Sequence, residues 1–199
     1  MKRALILSVV IAAGAGALVL ANTNLSLDAK NTLTPVDQVP TKDQIDTVLG
    51  SNALTSLASI ATDPDSTPDA ISVRLRAIHA LAKYCASTPC AAGDLAHQSV
   101  ASVITMTRDA ATGSDVLILR AGIETLGAMR VASDATSLQL LLNHPSRDIR
   151  AATARALRDL CNTQAIPPLR ARYSVELTDQ VKLAISEALR ILGQCSANQ

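Results

Sequence analysis

The residues able to do chemistry in this 199-residue chain are few. Four are cysteines: Cys85, Cys90, Cys161 and Cys195. An even set outside a reducing compartment points to disulfides, and four thiols admit three pairings. A zinc site fits poorly, because it wants closely spaced pairs of ligands. Here Cys85 and Cys90 are separated by four residues and the other two lie far off. The histidines, His79, His97 and His144, are scattered. None belongs to a metal-binding His-Glu-x-x-His run, and there is no phosphate-cradling glycine loop or nucleophile elbow. Cysteine–histidine catalysis is disfavoured once the thiols are engaged in disulfides. The residues therefore supply no catalytic set, no metal site and no cofactor site, and a structural or surface role is expected for each histidine.

Cations form the remaining constellation. Arg74, Arg76, Arg120, Arg150, Arg155 and Lys182 recur at or near equivalent points of a repeated pattern. Guanidinium groups bind carboxylates through two parallel hydrogen bonds, so a ridge of them recognises an acidic peptide or partner carboxylates. Arg74, Arg120, Arg150 and Lys182 are the candidate partner-binding residues. The competing expectation is that Glu124, Asp148, Asp179 and Glu187 neutralise the ridge, or that the arginines bridge adjacent repeats.

The elements that would position these groups are legible. Four segments, Ala77-Ile-His-Ala-Leu-Ala-Lys-Tyr84, Gly122-Ile-Glu-Thr-Leu-Gly-Ala-Met129, Thr153-Ala-Arg-Ala-Leu-Arg-Asp-Leu160 and Ile185-Ser-Glu-Ala-Leu-Arg-Ile-Leu192, share a central leucine. Leu81, Leu126, Leu157 and Leu189 are spaced by 45, 31 and 32 residues. Such a period marks a stack of similar units. Eight residues before each leucine stands another apolar residue, Val73, Ile118, Ile149 or Val181, on the same helical stripe. Hydroxyl residues with a nearby acid precede each stripe: Thr67, Ser114, Ser146 and Thr178. Partner helices are expected at about 42–61, 92–110, 134–143 and 164–175. Thr41 and Gln44 form a capping-box pattern, while Gly50 leaves open whether 42–61 is one helix or two. Links such as Asn143-His-Pro145 and Glu176-Leu177 are short enough to force antiparallel hairpins.

Composition agrees. Apolar residues make up 48% of the chain, with no Phe and no Trp, so the core is built from Leu, Ile, Val and Ala. That favours an all-α fold over a sheet, which spends more aromatic residues. At the N-terminus Lys2 and Arg3 precede an apolar run from Ala4 to Leu20, and Val19-Leu-Ala21 offers a cleavage site. Residues 1–21 therefore read as a signal peptide, or a membrane anchor if retained. Residues 22–40, punctuated by Pro35 and Pro40, read as a flexible tether, and 41–195 as the folded domain. Without Lys2 and Arg3 the chain carries 16 basic and 17 acidic residues, a net of −1. Nucleic-acid binding needs a basic footprint and usually aromatic platforms, and neither is present.

These units resemble HEAT repeats of the short bacterial type. The resemblance rests on Asp148-Ile-Arg-Ala-Ala-Thr-Ala-Arg-Ala-Leu157, on Ala165-Ile-Pro-Pro-Leu169, and on Asp179-Gln-Val-Lys-Leu-Ala-Ile-Ser-Glu-Ala-Leu189. It covers roughly 130–193 well and 42–130 only in the second helices. It implies a right-handed α-solenoid of about four helical hairpins, and a non-catalytic scaffold that holds a protein partner. Some HEAT-repeat enzymes bind iron through His-Glu dipeptides, which this chain lacks. The expected function is protein–protein interaction in the periplasm or cell envelope. An accessory or lyase-like chaperone and a self-associating structural domain are the alternatives. Stacking also sorts the cysteines. Cys85 and Cys161 occupy equivalent places two units apart, about 20 Å at ordinary helix spacings and too far to bond. Cys85–Cys90 across a turn and Cys161–Cys195 between adjacent helix ends are the expected disulfides.

Overall fold

Residues 27–34, 40–63 and 71–197 are described by the structure, a computed structural model. The expected signal segment 1–21 and the expected cap residue Thr67 lie outside them. Among the described residues the protein is all-helical, without strands. The helices are α1 (Leu27–Leu33), α2 (Lys42–Leu49), α3 (Ala53–Thr62), α4 (Ile71–Leu81), α5 (Leu95–Thr107), α6 (Ser114–Met129), α7 (Ala135–Leu140), α8 (Arg147–Asp159), α9 (Ile166–Val175) and α10 (Asp179–Ala197). None is long and apolar enough to cross a membrane.

Local sequence explains most of these boundaries. Thr41 and Gln44 close the expected capping box, each side chain bonding the other's amide. Gly50, at φ +62°, takes the left-handed region that other residues avoid, and this divides 42–61 into α2 and α3. Pro167 and Pro168 sit in the first turn of α9, where a missing N–H costs nothing. The expected helix at 134–143 is α7 followed by a 3-10 turn over Leu141–Asn143.

Two expectations are corrected. Residues 22–40 contain α1, whose Ala29 and Leu33, one turn apart, are both buried. This helix lies against α2 and α4, so that part of the tether belongs to the fold. Two apolar residues are too weak a period to stand out in sequence, and tertiary burial stabilises the helix. Secondly, Ser114 and Ser146 do not cap their helices through their hydroxyls. Gly113 is the cap of α6, and the Ser146 amide bonds the His144 ring instead.

Packing is pairwise. α3 lies on α4, α5 on α6, α7 on α8 and α9 on α10. The second members also form a row: α4 packs on α6, α6 on α8 and α8 on α10. The stripe residues Val73, Ile118, Ile149 and Val181 are at most 1% exposed. Leu81, Leu126 and Leu157 are buried too, whereas Leu189 is only half-buried. A Cβ on Gly127 of α6 would stand 2.9 Å from the Ala156 backbone of α8, so these helices touch where only glycine fits. Thr107, Thr125 and Thr153, all buried, return their hydroxyls to the carbonyl four residues back, which removes the cost of burying them.

Candidate interaction surface and its buried locks

Arg150 begins on α8 and ends inside the fold, 9% exposed. Its Nε and Nη2 donate to Oε2 and Oε1 of Glu176 at 2.8 and 2.9 Å, a bidentate pair. Its Nη1 donates to the carbonyls of His144 and Pro145, both at 2.9 Å. One guanidinium thus joins the α7–α8 turn to the α9–α10 turn. Glu176, 2% exposed, also accepts from Arg172 Nε and Nη2 and from the amides of Leu177 and Thr178. Its carboxyl is held far below the usual carboxylate range, first by Arg150.

Arg74 is also buried, 7% exposed, and its Nε donates to the Ala61 carbonyl at 3.0 Å on α3. Desolvation lowers its pKa. Arg74 and Arg150, two of the four candidate partner-binding cations, are thus largely enclosed by their own fold, with guanidinium donors turned inward. The competing expectation for Arg150 describes the geometry: it bridges adjacent units. Arg158 does the same more superficially, reaching Glu187 of α10 at 3.2 Å. Arg120 stays half-exposed on α6 and pairs with Glu124 one turn on, at 2.7 Å. Lys182 is half-buried on α10 with no ion pair among the described residues. The ridge read from sequence is therefore split between interior and surface.

The histidines fall into two kinds. His97 is 7% exposed, between the Ala92 carbonyl at 3.0 Å from Nδ1 and the Asp134 carboxylate at 2.9 Å from Nε2. Both ring nitrogens face oxygens, and the ring locks α5 to the turn before α7. Burial pushes the Asp134 carboxyl up. His144 accepts the Ser146 amide at Nδ1, which places its ring proton on Nε2, and burial lowers its pKa. His79 is partly exposed near Glu124 and Thr125, and burial lowers its pKa as well. Asp134 and Glu176 were missed by sequence reasoning. They lie 37 and 26 residues from their partners, and no linear spacing links them.

Cys85 is bonded to Cys90 and Cys161 to Cys195, with Cα separations of 5.1 and 5.8 Å. These are the two pairs expected from the stacking register. Asp94 lies beside the first pair, and the three residues are close enough to share an ion. With both sulfurs in a disulfide no thiolate is offered, so the group is not a metal centre in this oxidation state. The two disulfides suit an oxidising, exported environment.

Two shallow clefts flank α7, of about 260 and 310 Å³. The first is lined by Arg108, Leu140, His144 and Pro145, the second by Gln139, Leu142, Pro168 and Val175. Neither gathers a nucleophile, a base and an oxyanion donor within reach of one another. Exposed apolar side chains concentrate toward the C-terminal hairpin: Tyr173, Val175, Leu177 and Leu183, the last two at 91% and 72% exposure. No family model matches the chain, and neither a curated protein nor a solved structure matches it.

Proposed function

We propose that this protein is a non-catalytic helical-repeat scaffold that holds a protein partner outside the cytoplasm. In this reading the pairs α3–α4, α5–α6, α7–α8 and α9–α10 are four hairpins of a right-handed, HEAT-like α-solenoid. The observation that carries it is the row α4–α6–α8–α10, each second helix packed on the next. A row of this kind buries its interior contacts and leaves long side surfaces for recognition. The disulfides and the apolar N-terminal run after Lys2 and Arg3 support export to the periplasm or cell envelope, with membrane contact only if that run is retained.

The test is affinity capture from envelope extracts with the exported domain, followed by crosslinking and titration of the captured protein. A specific protein that binds the pure domain saturably supports the reading. Failure to recover any saturable partner, together with a domain that forms concentration-dependent oligomers in light scattering, would replace it with a self-associating structural role.

A further inference from the structure

Helix α10 repeats α8 thirty-two residues later, and the two differ in what covers them. On α8, Ala151 is 1% exposed; its counterpart on α10, Leu183, is 72% exposed. Ala154 is buried and its counterpart Ser186 is exposed. The cations follow the same register. Arg150 and Arg158 of α8 reach forward to Glu176 and Glu187 of the next hairpin. Their counterparts Lys182 and Arg190 have no ion pair among the described residues. In the first helices Leu138 and Leu169 set a 31-residue register, and Leu142, 2% exposed and lining the cleft toward α9, becomes Tyr173 at 42%. The outer side of the α9–α10 hairpin thus keeps the pattern of a covered repeat and, among the described residues, lacks the cover.

We propose that this face docks an acidic amphipathic helix of a partner protein, which occupies the place a further hairpin would take. The inference rests on the scaffold reading and assigns its binding surface. Apolar anchoring falls to Leu183 and Tyr173. Lys182 and Arg190, eight residues apart and so about 12 Å along the helix, call for two carboxylates at matching separation. Arg170 adds an exposed cation with no ion pair among the described residues. The acids on α10 are Asp179, at its start, and Glu187, already held by Arg158. The face is therefore basic, and charge argues against a second copy, which would bring two like-charged faces together. A helical repeat side that faces water normally presents polar residues there, and Leu183 and Tyr173 depart from that.

The experiment uses the full chain and two synthetic helical peptides of about twenty residues, long enough to hold a helix. Both carry a leucine stripe. One bears two glutamates eight residues apart and the other two lysines there. Fluorescence anisotropy is expected to show tighter binding of the acidic peptide. Lys182→Glu with Arg190→Glu should weaken it about tenfold and strengthen the basic peptide by a similar factor. Unchanged melting of the double variant shows that the fold survives. A crosslinker at Leu183 should capture the acidic peptide, and one at Leu117 of α6 should not.

Equal binding of both peptides, affinity unmoved by the charge reversal, or crosslinking only from Leu117 would overturn the inference. The scaffold reading would survive, since its own capture experiment is independent. Absence of peptide binding overturns the assignment of this face. So does a free chain that dimerises through Leu183, which would make a second copy the occupant.

Discussion

Helices α8 and α10 carry the same pattern, yet α8 is packed between α6 and α10 while α10 shows one side to water. Ile149 and Val181 are equally buried, so the stripe facing the core behaves alike in both. The difference lies on the forward side, where α8 meets α10 and, among the described residues, α10 meets nothing of similar extent. There the same register holds Arg150 locked on Glu176 in one case and Lys182 with no ion pair among the described residues in the other. Position in the row, more than residue type, decides whether a cation is a structural clamp or a surface group.

The sharpest way to break this comparison is to remove one acid. Glu176→Ala leaves Arg150 buried without a counter-charge and should cost about 4 kcal/mol. Lys182→Ala on the open side should cost about 0.5 kcal/mol or less. Denaturant midpoints of the two variants measure the contrast. If both cost the same, the α8–α10 junction is not the clamp described.

The disulfides come next. Cys161 and Cys195 close a sequence separation of 34 residues and Cys85 and Cys90 one of 5. Chain entropy gives roughly 3–4 kcal/mol for the long loop and about 2 kcal/mol for the short one. Paired serine substitutions, melted separately, should preserve that order. Fraying detected by hydrogen exchange in α10 should accompany only the loss of Cys161–Cys195.

Packing provides a third pair. Leu157→Ala removes a fully buried side chain and should cost about 3 kcal/mol, against about 1 kcal/mol for half-buried Leu189→Ala. Glycine gives opposite signs. Gly127→Ala forces a methyl onto the Ala156 backbone and should destabilise by about 2 kcal/mol. Gly193 of α10 has open space around it, so Gly193→Ala should stabilise by up to about 1 kcal/mol through helix propensity.

Acid should act on the fold in two windows. His144 and His79 have pKa values lowered below the ordinary 6.5. The unfolded chain therefore takes up their protons first, and the stability they hold at neutral pH declines as pH falls below about 6.5. Glu176 is depressed from an ordinary 4.5, so its stabilisation is complete above that value and is lost as pH falls further. His144→Asn keeps an acceptor for the Ser146 amide and should remove only part of the first decline, because His79 titrates in the same range. Glu176→Gln should flatten the second. Urea midpoints between pH 8 and pH 3 are the readout.

Much of the fold was legible because its cause is local. The capping box at Thr41, the stripe from Val73 to Val181 and the two prolines opening α9 each act within one or two turns. The break at Gly50 was visible as a choice, and the left-handed backbone there settled it. α1 escaped notice because two buried residues, Ala29 and Leu33, do not make a period. Of the four candidate cations, Arg74 and Arg150 turn out to be buried. Arg74 and Arg150 read as surface cations because the groups that enclose them, the Ala61 carbonyl and Glu176, belong to other elements.

The sequence by itself determined the helical class, the register of the repeated leucines and, through that register, which cysteines meet. These follow from periodicity and helix geometry, which act over a few residues. Only the tertiary structure decided which cations are enclosed, that His97 faces Asp134, and that α10 keeps a bare side. Those depend on contacts between residues dozens of positions apart, and burial is a property of neighbours that no single segment carries.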